Sequence, residues 1–354
     1  MKVRNHRWKT LWCLGLAVSF PFTAQTARAQ ADFYKGKTIS ILQGSSPGGT
    51  GDLMVQAIIP FLRKYIPGEP TIIREYMPGG GGRKAANHIF GAVRPDGLTI
   101  GNIGLGLVTH ATLGETGVQY ELKKFHYLGS SHSKYHWVFL TWNKAGVSTV
   151  EKLRAASGVR IGAQTVGHAV YMTGRLFARL IGVKEPRFVT GYSDTEIDAA
   201  MQQGEVDGRV RNADAIVGRL PHWIGERLAD FHSIINVPVE AKHPHFGYLP
   251  ELGTFAQSRE ERELLGLLRA FRQAGSPYIL SPGTPGERVA ILQDAFRKAY
   301  RNPAFHAAFK NLVGQDASPL MPEEQEKVIR ELPDDAKVIE LFKRFTGPDP
   351  LPPR

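Results

Sequence analysis

Apolar and polar positions along the chain fall into alternating strand and helix periods. Thr38–Gln43 reads as a strand, and a loop of Gly, Ser and Pro follows it from Gly44 to Gly51. From Asp52, the residues Val55, Ile58, Ile59, Leu62 and Ile66 recur at helix spacing and predict one buried face. Pro60 sits inside that pattern and predicts a kink or an early stop. Thr71–Glu75 is a second strand and leads into Pro78-Gly79-Gly80-Gly81-Gly82. Ala85, Ala86, Ile89, Phe90 and Val93 mark a short amphipathic helix, Pro95-Asp96-Gly97 a turn, and Leu98–Ile103 a third strand. The order βαβαβ predicts a parallel sheet with helices on its faces.

The rhythm then repeats. Ser148 and Glu151 form a capping box for a helix reaching about Ala156, followed by a strand at Val159–Ala163 and a loop at Gln164–His168. A helix is expected over Ala169–Ile181 and a strand over Arg187–Thr190. After Gly191-Tyr192-Ser193-Asp194, a second capping box of Ser193 and Glu196 opens a helix to Gln203. Two such units in succession predict two α/β lobes facing each other. The chain is mainly helical from Glu260, and its Pro-rich end, Pro348–Arg354, is expected to fray. No solenoid-type repeat is present.

The first thirty residues change the picture from fold to location. Lys2, Arg4, Arg7 and Lys9 precede an apolar run from Leu11 to Phe22, and Ala27-Arg28-Ala29 follows as an A-x-A cleavage pattern. Residues 1–29 therefore read as a secretory signal peptide, with a mature chain starting near Gln30 and a periplasmic location. The apolar run is shorter than the ~20 residues a membrane span needs. Export makes chemistry that depends on cytosolic ATP or nicotinamide pools an unsuitable reading. The single cysteine, Cys13, lies inside that segment, so the mature chain has no thiol, disulfide or cysteine metal site. Loss of the segment lowers the net charge from +11 to +6. A moderately basic surface suits an anionic ligand or an anionic membrane surface. No Lys/Arg block or aromatic-interleaved basic stripe points to nucleic acid.

Candidate chemistry concentrates in the Gly-rich strand–helix junctions. Small residues let the backbone approach a ligand, and free N–H groups at a helix start favour an anion. Asp52 suits either a ligand amine or, as the commoner use, a helix cap. Gly44-Ser45-Ser46-Pro47-Gly48 fits G-x-S-x-G, but the oxyanion hole of that motif needs an N–H from the residue that is Pro47 here. The histidine pairs His132/His136 and His243/His245 have no metal-ligand spacing and read as exposed residues of a hinge region. Gly104-Leu105-Gly106 lacks the third glycine of a dinucleotide fingerprint. The aromatic stretch from Tyr120 to Trp142 suits either the mouth of a cleft or hinge packing.

The sequence Ser46-Pro47-Gly48-Gly49-Thr50-Gly51-Asp52 resembles the first signature of the tripartite tricarboxylate transporter receptors, the Bug-type periplasmic solute-binding proteins. Pro78–Gly82 is similar to their second Gly-rich loop, and Arg94-Pro95-Asp96-Gly97-Leu98-Thr99 to the motif after it. Gly167–Phe177, Pro282–Pro285 and Arg301-Asn302-Pro303 resemble later stretches, so the similarity covers nearly all of the mature chain.

That resemblance implies a two-lobed, type II-like Venus-flytrap fold with a ligand cleft between the lobes. Lobe 1 would be residues 30–138 and 250–354 and lobe 2 residues 139–249, with crossovers near Trp137–Trp142 and His243–Pro250. It implies a receptor, not an enzyme, that holds a small organic carboxylate without cofactor or metal and delivers it as a monomer to membrane permease subunits. A periplasmic ligand sensor and a periplasmic serine hydrolase are the alternatives. Ser46, Gly48 and Gly49 are the expected contacts of the first loop, and Gly80, Gly81 and Gly82 those of the second. Thr165, Val166, Gly167 and His168 are expected from the opposite jaw. The chain departs from the family at four places. Gln56 stands where arginine is usual, with an expected effect on helix packing. His168 replaces a serine, Tyr171 a histidine, and Arg83 a small or polar residue. Either Arg83 or His168 adds a charge-assisted contact to the anion and Tyr171 a stacking surface, or Arg83 is solvated and His168 simply caps its helix.

Overall fold

The computed structural model describes Met1 and residues 33–352. The expected signal peptide and Cys13 lie outside the described residues. Among the described residues, no helix is long and apolar enough to cross a membrane.

The first sheet is built from β1 (Thr38–Gln43), β2 (Thr71–Tyr76) and β3 (Thr99–Asn102), joined by helices α1 (Thr50–Tyr65) and α2 (Arg83–Gly91). These three strands are parallel, as the βαβαβ pattern predicts. Helix α3 (Gly106–Thr112) then leads to β4 (His126–Gly129). The second lobe runs through β5 (Tyr135–Trp142), α4 (Val150–Ala155), β6 (Arg160–Gly162), α5 (Ala169–Ile181), β7 (Arg187–Val189), α6 (Asp194–Gln203) and β8 (Gly208–Asn212). It continues through α7 (Ala213–Arg219), α8 (Pro221–Gly225) and β9 (Ala229–Val237). Helix α9 (Arg259–Gln273), strand β10 (Tyr278–Leu280) and helices α10 (Gly286–Arg301), α11 (Pro303–Val313), α12 (Pro322–Arg330) and α13 (Ala336–Thr346) complete the chain. The sheet orders are β2-β1-β3-β10-β4 and β7-β6-β8-β5-β9. β10 inserts antiparallel between β3 and β4, and β5 antiparallel between β8 and β9.

Each sheet buries the face its pattern marks. Ile39 and Ile41 of β1 pack with Val55, Ile58 and Leu62 of α1 and with Leu292, Phe296 and Phe305 of α10 and α11. In the second lobe Val138 and Leu140 pack with Ile197, Met201, Ile216 and Trp223. A third cluster runs through both lobes, from Leu42 and Ile89 to Phe177, Leu180, Leu264, Phe271 and Phe342.

Several expectations need correction. Tyr135–Val138 belong to the second sheet, because β5 pairs along its length with β9, starting at Tyr135 opposite Val237. The first crossover therefore precedes Tyr135. The segment 250–354 is divided between the lobes: α9 and α13 pack on α5 of lobe 2, whereas α10 and α11 pack on α1 of lobe 1. Pro60 does not end α1, which continues to Tyr65. The carbonyl that loses its partner is that of Gln56, and both residues face solvent, where water can satisfy it. An exposed Gln56 does not alter the packing of α1. Helix α4 is capped one residue later than expected, by Thr149, whose hydroxyl accepts the Lys152 N–H. Ser193 and Glu196 do form the reciprocal capping box of α6.

The C-terminal tail is held rather than frayed through Pro352. Arg175 donates to the carbonyls of Phe345 and Asp349, Arg179 to that of Pro352, and the Tyr171 hydroxyl to that of Gly347. Of the paired histidines only His245 is exposed as expected, and His136 is half-buried. His132 and His243 are 3% and 2% exposed. His132 Nδ1 meets the Ser318 hydroxyl and His243 Nε2 the Asp214 carboxylate. Among the described residues, no cluster of three metal-ligating side chains occurs.

Candidate functional site: the cleft between the lobes

Every loop that follows a parallel strand opens into one cavity of about 560 Å³ between the lobes. Lobe 1 contributes Gly44–Pro47, Gly49 and Thr50 after β1, Pro78, Gly79 and Gly81 after β2, and Asn102–Gly106 after β3. Lobe 2 contributes Gln164, Thr165 and His168–Val170 after β6, Gly191–Glu196 after β7, and Arg211, Asn212 and Ala215 after β8. The carboxyl ends of parallel strands are where open α/β sheets leave a crevice. Tyr135, Trp137, Arg272 and Ser276 close the cavity on the side where the chain passes between lobes.

Asp52 fixes the shape of the first loop. Its carboxylate accepts the Gly48 N–H at 2.9 Å, Gln43 at 2.9 Å, the Tyr76 hydroxyl at 2.9 Å and Arg74 at 2.8 Å. Burial works to raise this carboxyl, and the four donors outweigh it and hold it below the usual aspartate value. It is thus a loop anchor near the start of α1.

The second loop depends on close backbone contact. Gly81 has φ +62°, and a Cβ on Gly106 would lie 1.8 Å from the Gly81 carbonyl oxygen, so neither position tolerates a larger residue. Arg83 turns to Glu115, at 3.1 Å, and His110 Nδ1 meets the same carboxylate at 2.7 Å. The opposite ring nitrogen of His110 faces the Gly81 carbonyl at 3.3 Å. Burial works to raise the Glu115 carboxyl, but the His110 hydrogen bond and the His110 and Arg83 charges keep it low. Arg83 therefore supports the loop from behind.

On lobe 2, His168 is the N-cap of α5, its Nδ1 accepting the Val170 N–H at 3.2 Å. Burial, with the nearby Arg272 charge adding to it, lowers its pKa to about 4. The ring is neutral at pH 7, and with Nδ1 accepting, the proton sits on Nε2. His168 can donate a hydrogen bond but does not bring the positive charge expected of it. Asp194 and Arg211 line the same wall and belong to a buried network. Arg209 pairs with Asp194 and with Asp198, and Arg211 reaches Asp198 at 2.7 Å and Asp194 at 3.5 Å.

Of the residues singled out from sequence, Ser46, Gly49, Gly81, Thr165 and His168 line the cavity. Gly48, Gly80, Gly82, Arg83, Val166 and Gly167 do not. Gly167 instead lies against His110 of the other lobe, where a Cβ would come within 2.9 Å of the ring. Tyr171 is 2% exposed, stacks edge-on against Phe188 and is not a cavity residue. Its position in α5 turns it towards the tail. Sequence reasoning missed Arg211, Asn212 and Arg272, and left open the roles of Tyr135 and Trp137. A guanidinium stacked on an aromatic across 135 residues of sequence has no local pattern to reveal it.

No protein-family model matches the sequence, and no curated protein matches it. Solved structures do. The periplasmic binding protein BugD superposes with a TM-score of 0.68 at 16% identity, over 88% of this chain and 98% of that chain. MatC from Rhodopseudomonas palustris, with bound malate, gives 0.65 at 18% identity, over 86% and 99%. An R. palustris protein with adipate gives 0.64 at 15% identity, over 86% and 97%. At these identities the likeness establishes the fold, which is that of the two-lobed periplasmic binding proteins.

Proposed function

We propose that this chain is an exported receptor that binds a small carboxylate between its lobes and delivers it to a tripartite tricarboxylate-type membrane permease. The reading includes a periplasmic location, a monomeric state and no catalytic turnover. The observation that carries it is the convergence of six strand–helix loops, drawn from both lobes, on one cavity. Its volume of about 560 Å³ lies within the usual range for small-molecule sites. The starts of α1, α5 and α6 lie at the cavity, and a helix start offers free backbone N–H groups to an anion. The malate and adipate named for two structural neighbours support a carboxylate as the ligand class. Pro47 after Ser46 argues against a serine hydrolase, since it has no N–H for an oxyanion.

Thermal unfolding of the mature protein across malate, adipate, citrate, aromatic carboxylates and their amides tests the reading. A ligand at a hundredfold its Kd adds about 2.7 kcal/mol, a Tm rise of roughly 5–10 °C. The expected result is a rise with one class of carboxylate and none with its amide. No rise with any carboxylate refutes the receptor reading.

A further inference from the structure

Of the two arginines that line the cavity, one has no anion beside it. Asp194, Glu196, Arg211 and Arg272 are the charged side chains that line it. Asp194 and Arg211 belong to the network with Arg209 and Asp198. Glu196 accepts the Ser193 N–H at 2.6 Å in its capping box. Arg272 is 3% exposed and, among the described residues, has no carboxylate within ion-pair distance. It donates to two neutral oxygens, the Ala169 carbonyl and the Thr173 hydroxyl, and its Nε is buried without a partner. Its guanidinium carbon lies 4.1 Å from the centre of the Trp137 ring and 6.0 Å from that of Tyr135. The Trp137 indole N–H is likewise buried without a partner.

Leaving a guanidinium buried without a counter-ion is costly. Burial lowers the Arg272 pKa to about 9, so the charge persists at neutral pH. Stacking on Trp137 stabilises the cation but does not neutralise it. A charged group in a cleft whose natural partner is missing marks a binding position.

We propose that Arg272 is the ionic partner of the ligand, receiving one carboxylate against a guanidinium stacked on Trp137, with His168 Nε2 donating beside it. This rests on the receptor reading and narrows it. Only one carboxylate finds an unmatched cation here, and any second one rests on loop N–H groups alone. The preferred ligand therefore has a single ionically recognised carboxylate, attached to a body that packs against Met54, Ile103, Val170 and Tyr192 on the surrounding wall.

The test uses the mature chain, Arg272→Gln and Arg272→Lys, with acetate, adipate and malate as probes and their amides as controls. Thermal shift and tryptophan fluorescence give the affinities. The expected outcome is binding of at least one probe to the wild type, weakened tenfold or more in Arg272→Gln. Arg272→Lys should show an intermediate loss, because it keeps the charge without the planar fork. Ligand-free Arg272→Gln should melt no lower than the wild type, since an unmatched buried charge has been removed. A merely structural arginine would give the reverse, a lower Tm with affinity unchanged. A wild type that binds a probe and an Arg272→Gln that binds it within twofold overturn this assignment and leave the receptor reading intact. Should the glutamine variant not fold, an Arg272→Lys affinity equal to wild type overturns it. A wild type that binds none of the three probes and none of the citrate and aromatic carboxylates of the wider panel overturns both.

Discussion

Replacing Asp198 with asparagine removes one of two anions from a buried group of two arginines and two aspartates. The Arg209 and Arg211 side chains are 0% and 4% exposed, and those of Asp194 and Asp198 are 17% and 11% exposed. Asp198 accepts Arg209 at 2.5 Å and Arg211 at 2.7 Å, so the variant leaves both cations to Asp194. The asparagine amide, if turned inward, would also set N–H against N–H. Removing one partner from such a group costs about 3–5 kcal/mol, or a Tm drop of roughly 10 °C. Replacing Asp198 by Leu and Arg211 by Met together keeps the Arg209–Asp194 pair and removes the imbalance. That double variant is expected within about 2 kcal/mol of the wild type. Urea unfolding followed by tryptophan fluorescence suits the measurement, because Trp137, Trp142 and Trp223 all lie in lobe 2. A loss below about 1 kcal/mol in Asp198→Asn, or a double variant no better than the single, would refute the account of a matched buried network.

Three further outcomes are expected. Gly106→Ala places a Cβ 1.8 Å from the Gly81 carbonyl oxygen and should displace the second loop, abolishing ligand-induced stabilisation while far-UV circular dichroism stays native. His132, His168 and His232 are each held near pKa 4 by burial, below an unfolded value near 6.5, so they stay neutral in the fold. Their stabilisation is complete above about pH 6.5 and falls as the pH drops towards 4, on the order of 2 kcal/mol each by pH 5; a urea midpoint unchanged between pH 7 and pH 5 would contradict this. Truncation before Gly347 strips Tyr171 and Arg175 of the carbonyls of Gly347 and Asp349 and should cost about 2–3 kcal/mol; calorimetry showing no change would restore the frayed-tail view.

Local pattern made the framework legible. β1 and α5 were read to their observed ends, and the Ser193–Glu196 box was found, because alternation, helix spacing and capping chemistry each act within a few residues. The Gly-rich loops were recognised for the same reason. What the loops face was not legible. Gly167 and Gly81 look alike in sequence and come close to each other across the lobes, yet only Gly81 also lines the cavity, a difference set by lobe placement. Arg272 reaches the cavity because α9 packs on lobe 2, and Tyr171 leaves it because the tail returns to α5. Both depend on long-range packing of the C-terminal helices, which helix spacing announces only as a buried face. The mistaken lobe boundary has the same origin: β5 carries no local mark of which sheet it joins.

Lobe closure itself can be tested at a glycine that neither jaw uses. Gly218, exposed on α7 of lobe 2, lies against Gly314 at the end of α11 of lobe 1, and an alanine Cβ there would come within 2.7 Å of the Gly314 Cα. The obstacle is backbone on both sides, so it is relieved by separating the lobes. Within α7 the substitution is favourable, although Gly218 is the penultimate residue and the gain is smaller than the roughly 1 kcal/mol of a helix interior. The two effects therefore have opposite sign, one on the stability of lobe 2 and one on the closed arrangement. Separation would also strain the Arg219–Thr50 hydrogen bond, 2.6 Å between the same two lobes. A receptor that closes on its ligand binds more weakly in proportion to the fraction still able to close. Gly218→Ala should thus keep or raise the ligand-free Tm while weakening carboxylate binding severalfold, mostly through faster release. Unchanged affinity and release rate, with the substitution verified, would mean that the contact between Gly218 and Gly314 has no part in holding the cleft shut.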